Sequence, residues 1–103
     1  MKEIKSHCEQ IAKGLSNPDF LAEGGPEVTA FDYLESALDI RYIVNGSGDY
    51  LGAEVCVAFG GPTIWVNTLY GRVEGAWWQD HASVPFVDEI GLDDALRELW
   101  ECR

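Results

Sequence analysis

Residues 39–59 read DIRYIVNGSGDYLGAEVCVAF. Ile40, Tyr42 and Val44 alternate with Arg41 and Ile43. Past a break, Leu51, Ala53, Val55, Val57 and Phe59 fall on one side. A period of two belongs to a strand, whose successive side chains point to opposite faces. Between the two runs stands Asn45-Gly46-Ser47-Gly48-Asp49, a cluster of residues that tolerate turn conformations. The stretch therefore predicts a β-hairpin, and with it a sheet.

Toward the C-terminus the alternation continues. Gly60-Gly61-Pro62 breaks the second strand. Thr63 to Thr68 reads as a third, with Ile64 and Val66 on one side and Trp65 on the other. Leu69-Tyr70-Gly71 turns the chain. Arg72 to Trp78 reads as a fourth strand, in which Val73, Gly75 and Trp77 alternate with Glu74, Ala76 and Trp78. Residues 79–91, with Pro85 and Gly91, read as irregular. From about Leu92 to Glu101 the period becomes helical, and Leu92, Ala95, Leu96, Leu99 and Trp100 form one stripe. Asp93 and Asp94 fall in its first turn, where the helix dipole favours negative charge.

Toward the N-terminus the pattern is also helical. Residues 2–15 place Ile4, Cys8, Ile11, Ala12 and Leu15 on one stripe, and Ser16-Asn17-Pro18 ends it. A connector closed by Gly24-Gly25-Pro26 follows. A second helix is expected from Thr29, with Asp32 at capping-box spacing and a hydrophobic staple from Val28 to Tyr33. Phe31, Leu34 and Leu38 would face inward. The short links between strands require antiparallel neighbours. The expectation is one α+β domain over residues 1–103: a four-stranded antiparallel meander with two N-terminal helices and one C-terminal helix packed on one face. The other face would carry Arg41, Ile43, Glu54, Trp65, Glu74 and Trp78.

A chain of 103 residues that is 47% hydrophobic and 12% aromatic has too much core-forming material for a disordered acidic tail. Its net charge of −11 disfavours nucleic acid and anionic membrane as direct partners and favours basic ones. Cys8, Cys56 and Cys102 are odd in number and widely spaced, neither a disulfide framework nor a metal knuckle. Cys8 and Cys56 read as small buried hydrophobes in a reducing compartment. Lys2, Glu3 and Lys5 open an amphipathic helix rather than an apolar leader, and no apolar run approaches membrane-spanning length. A cytoplasmic location is expected.

The acids are unevenly spread. Residues 14–40 sum to −6 without one base, and residues 73–96 sum to −6 without one base. The first block includes Asp32, Glu35 and Asp39, whose i, i+3, i+7 spacing would align them along one side of the second helix. The second includes Glu74, Asp80, Asp88, Glu89, Asp93 and Asp94. If the blocks meet, they form a negatively charged strip on a rigid scaffold. The competing account is solubility, since a charge run is usually a solvated face, and helix capping explains Asp32, Asp93 and Asp94 equally well.

Catalytic groups are few. His7 and Cys8 are adjacent on a helix and do not face one another. Asp80-His81 follows the fourth strand and could meet Cys56 or Ser83 only through the fold. Asp88-Glu89 and Asp93-Asp94 lack the spacing of a calcium loop, and Gly60-Gly61-Pro62 lacks the lysine of a phosphate loop. No enzyme, metal or cofactor is expected. Trp77 and Trp78 are consecutive on the expected strand, so one faces the core and one faces out. The outer one is either an anchor for a partner, together with Trp65, or covered by residues 79–91.

The runs FDYLESALDIRYIV (31–44), VAFGGPTIWVNT (57–68) and VEGAWW (73–78) resemble small proteins of phages and mobile elements. In size, acidity and lack of catalytic motifs the chain is similar to anti-CRISPR and antirestriction proteins. That resemblance implies a non-enzymatic inhibitor acting as a nucleic-acid mimic on the basic nucleic-acid-binding surface of a bacterial defence complex. The expected contacts are Asp32, Glu35, Asp39, Glu74, Asp80, Asp88, Glu89, Asp93 and Asp94, with Trp65 or Trp78 adding apolar area. The protein would be a monomer, or a homodimer paired through a sheet edge. The alternative is an adaptor or immunity-type protein that neutralises a basic partner without imitating DNA.

Overall fold

The computed structural model describes residues 2–21 and 29–102. The elements run α1 (Lys2–Leu15), α2 (Ala30–Glu35), β1 (Asp39–Val44), β2 (Tyr50–Ala58), β3 (Thr63–Asn67), β4 (Arg72–Trp77), β5 (Asp80–Pro85) and α3 (Leu92–Glu101). The strands form one antiparallel sheet in the order β1-β2-β3-β4-β5. The meander, the α+β class and the three helices agree with the sequence. The strand count does not, because the described residues form five strands rather than four.

The additional strand lies in the first half of the segment read as irregular. In β5, Ala82 pairs with Gly75 and Val84 with Val73, so both turn toward the helices. Only these two small apolar residues mark its inner face, and Pro85 closes it. That composition suits a short edge strand, where a missing N–H costs no ladder bond. The rest of the segment is irregular but tethered. The Phe86 N–H donates to the Gly71 carbonyl at 3.0 Å, Val87 N–H to Ser16 Oγ at 2.9 Å, and Glu89 N–H to the Leu15 carbonyl at 3.0 Å.

Register separates the sheet faces. Ile40, Val55, Val66, Val73 and Val84 stand in one row across all five strands, and Val55, Val66 and Val73 are fully buried beneath the helices. Helix α1 crosses β4 and β5, α3 lies over β2, and α2 packs on α3. Gly75 makes the α1 crossing possible. A Cβ there would stand 2.6 Å from Cys8 Sγ and 2.8 Å from Ile4 Cδ1. The stripe Ile4, Cys8, Ala12 and Leu15 is buried as its spacing predicts, and so are Leu92, Ala95 and Leu96 of α3. Under α3, Tyr42 packs on Trp100 with ring centres 5.3 Å apart, and Arg97 lies over the Tyr50 ring at 4.9 Å.

Helix α2 is shorter than its sequence suggests. It stops at Glu35, so Asp39 is the first residue of β1 and does not share a helix side with Asp32 and Glu35. Leu38 and Phe31, expected inside, are exposed. The Leu38 N–H is taken by the Cys56 carbonyl at 2.9 Å, which draws the chain into the sheet before a second helical turn can form. The expected capping box of Thr29 and Asp32 is present: the Asp32 carboxylate accepts from Thr29 N–H at 2.7 Å and from the Thr29 hydroxyl at 3.1 Å. Val28 of the expected staple and the Gly24-Gly25-Pro26 connector lie outside the described residues.

Candidate functional site

The face of the sheet away from the helices holds two rows of mostly polar side chains. One runs Asp39, Cys56, Trp65, Glu74, Ser83; the other runs Arg41, Glu54, Asn67, Arg72, Pro85. These rows contain four of the six residues expected there, and Ile43 is a fifth, on β1. The sixth, Trp78, is in the turn between β4 and β5 rather than on a strand. Arg41 bridges the two rows. Its Nε donates to Asp39 Oδ2 at 3.2 Å and its guanidinium covers the Trp65 ring at 4.7 Å, a stacked cation that leaves Trp65 half-buried. Arg72 reaches Ser83, with Nη2 on its carbonyl at 3.0 Å.

The nine carboxylates expected to form one surface fall into three groups. Asp39 and Glu74 are on the bare sheet face, with Asp80 at the base of the β4–β5 turn. Asp32 and Glu35 are on α2, in the helix layer. Asp88, Glu89, Asp93 and Asp94 lie around the start of α3, where Asp88, Asp93 and Asp94 line a recess of about 490 Å³ with Tyr70 and Phe86. The expected continuous strip is thus divided, because Asp39 and Glu74 take the parity of the bare face while α2 and α3 sit on the other.

Several of these groups are engaged in holding the fold. Asp88 accepts from Leu92 N–H at 2.9 Å and Asp93 N–H at 2.8 Å, and so caps α3 from outside it. Gly91, in the left-handed region at φ 74°, offers no side chain for that job. Asp93 accepts the Tyr50 hydroxyl at 2.7 Å. Burial, followed by this hydrogen bond, raises the Tyr50 phenol well above its ordinary value. Glu35, Glu74, Glu89 and Asp94 are exposed, and their carboxylates make no hydrogen bond or ion pair among the described residues. Among the described residues no group of three or more His, Cys, Asp or Glu side chains could hold a metal ion.

His81 and Ser83 share a face of β5, but Ser83 Oγ accepts from Arg72 Nε and Asp80 has the opposite parity; Cys56 and His81 are not assembled. β3 and β4 stand between Cys56 and His81, about 14 Å at the usual strand spacing. Cys8 is fully buried against Gly75, and burial raises its thiol. His7 instead meets the edge of Trp77, with ring centres 6.4 Å apart.

The tryptophans divide as their alternation requires up to the end of β4. Trp77 packs with the core, whereas Trp78 is 89% exposed and adopts φ 60°. Residues 79–91 do not cover it. Sequence reasoning missed its companions. Phe59 is 77% exposed and Leu38 is 61% exposed. A register shift between Cys56 and Ala58 ends the regular alternation before Phe59 is reached. Gly60-Gly61-Pro62 was the available signal that the strand ends there.

Fold and surface together define an acidic α+β protein with one helix-covered and one bare sheet face. Comparison with protein-family models, with curated proteins and with solved structures gives no match.

Proposed function

We propose that the protein is a non-enzymatic inhibitor that binds the basic, nucleic-acid-binding surface of a bacterial defence complex in the cytoplasm, the role implied by its resemblance to anti-CRISPR and antirestriction proteins. The observation that supports this reading is charge left available. A net −11 on 103 residues coexists with exposed, unengaged carboxylates in every group: Glu74 on the sheet face, Glu35 on α2, and Glu89 and Asp94 beside α3. Such a field accelerates approach to a basic surface and competes with phosphate for its Lys and Arg.

A second reading, an adaptor or immunity-type protein that neutralises a basic partner without imitating DNA, is favoured by the division of the acids into three groups. A phosphate-by-phosphate mimic needs one row, whereas an ordinary interface needs only local complementarity.

Expression in a bacterium carrying CRISPR or restriction defence tests the proposal. Phage plating should recover, and the triple reversal Glu35→Lys, Glu74→Lys, Asp94→Lys should abolish recovery while circular dichroism stays unchanged. Undiminished protection by that variant would refute the role of charge. Displacement of the bound effector by double-stranded DNA separates mimic from adaptor, because only the mimic must compete.

A further inference from the structure

The turn at one end of the sheet presents an aromatic residue at a backbone position that usually belongs to glycine. Trp78 occupies the left-handed region at φ 60°, yet is 89% exposed, so no burial of its ring compensates the unfavourable backbone. Gly60 and Gly61 of the β2–β3 loop line a shallow recess with Trp77 and Trp78. The next residue back, Phe59, forms one wall of a groove of about 390 Å³ with Leu38, Asp39, Arg41, Cys56 and Trp65. Leu38, Phe59 and Trp78 therefore expose apolar area at the same end of the sheet, where β2 and β4 end and β1 begins. A patch of this kind on an otherwise acidic molecule marks a contact site.

Charge selects the occupant. Nucleic acid could stack on these rings, but its phosphates are repelled by a body of net −11, as are a second copy of the chain and an anionic membrane. A basic polypeptide is attracted. Glu74, exposed and unengaged, stands beside Trp65 on the bare face, placed to meet a cation next to an inserted apolar side chain. We propose that this surface seats an apolar side chain of a lysine- or arginine-rich segment of the partner protein, with Trp78 and Phe59 as its anchors. The inference rests on the proposed binding of a basic partner, and adds that apolar insertion at the sheet end, rather than charge alone, decides which basic partner is held.

Two synthetic lysine-rich peptides of equal length and charge provide the probe. One carries leucine and tryptophan at helical spacing; the other has glycine and serine in their place. Amide shifts of the isotope-labelled full chain report binding. The apolar peptide should bind about tenfold tighter or better, a margin set by burying one large side chain. Its shifts should concentrate at residues 38–41, 56–65 and 74–80. Trp78→Gly and Phe59→Ser should each remove most of that margin, and Trp78→Gly should do so with an unchanged or raised Tm. Equal binding of both peptides, or shifts confined to α2 and α3, overturns the inference and leaves charge-driven binding standing. Failure of both peptides to bind at low salt overturns the two together. Concentration-dependent shifts of the same residues without peptide would instead assign the surface to self-association and overturn it.

Discussion

Asp88 stands outside the helix it caps, four residues before Leu92, and satisfies two of the N–H groups that α3 leaves unpaired. Asp88→Ala should cost about 1–2 kcal/mol, read as a lower Tm, with Asp88→Asn retaining part of the effect. Tyr50 links the same helix to β2 through Asp93. Tyr50→Phe should cost roughly 1.5–3 kcal/mol, as for a hydrogen bond to a charged acceptor. The phenol also creates a pH dependence. Its folded pKa lies above its unfolded value, so its contribution is complete below about pH 10 and is lost as pH rises toward the folded value. Denaturant titrations across the alkaline range should show a stability fall that is smaller in Tyr50→Phe. Trp78 is the opposite case, a residue that costs stability. Replacing it by glycine relieves about 1 kcal/mol of left-handed strain and loses a similar amount to unfolded-chain entropy, so the Tm should hold or rise.

The seating of α1 on β4 depends on a position with no side chain. Gly75→Ala would bring a methyl against Cys8 Sγ and Ile4 Cδ1, both fully buried. The cost should be about 1–3 kcal/mol, the usual range for overpacking. Cys8→Ala opens space at the closest contact, so the double variant should be more stable than the sum of the single effects predicts. Denaturant midpoints of the four proteins would show that coupling, and strict additivity would mean that Cys8 does not define the contact. Element boundaries follow the same competition between local and long-range bonds. α2 ends where Leu38 finds Cys56 across the sheet, and β5 forms although its sequence is a weak strand, because β4 offers it a full antiparallel ladder.

Across the whole molecule the dominant fact is self-repulsion. The Cα positions extend 39 × 38 × 22 Å, comparable with the Debye length of about 30 Å at 0.01 M salt and well above the 8 Å at 0.15 M. Adding salt over that interval should therefore stabilise the protein, by a Tm rise of roughly 4 °C if the repulsion is worth about 1 kcal/mol. Partner binding should move the opposite way, weakening as salt rises. A stability that is flat with salt would show that the acids are already spaced beyond mutual influence. Their distribution into three groups on two faces reduces the repulsion that a single strip would concentrate.

Period and turn chemistry were enough to place α1, α3 and the first four strands, and to decide which of Ile64, Trp65 and Val66 share a face. Those are local properties, since a side chain's direction on a strand or helix follows from its position in the repeat. The charge blocks were equally legible as composition. Their meeting was not, because parity sent Asp39 and Glu74 to the bare face while α2 and α3 settled on the other. Nor were β5, the early end of α2, the capping role of Asp88 and the exposed end built from Leu38, Phe59 and Trp78. The early end of α2 is decided by the bond from Leu38 to Cys56 in the next strand, and β5 and the Asp88 cap, whose own partners are near in sequence, are held in place by the tethers of residues 86–89 to Gly71, Ser16 and Leu15; such contacts become favourable only once the sheet has brought its partners together.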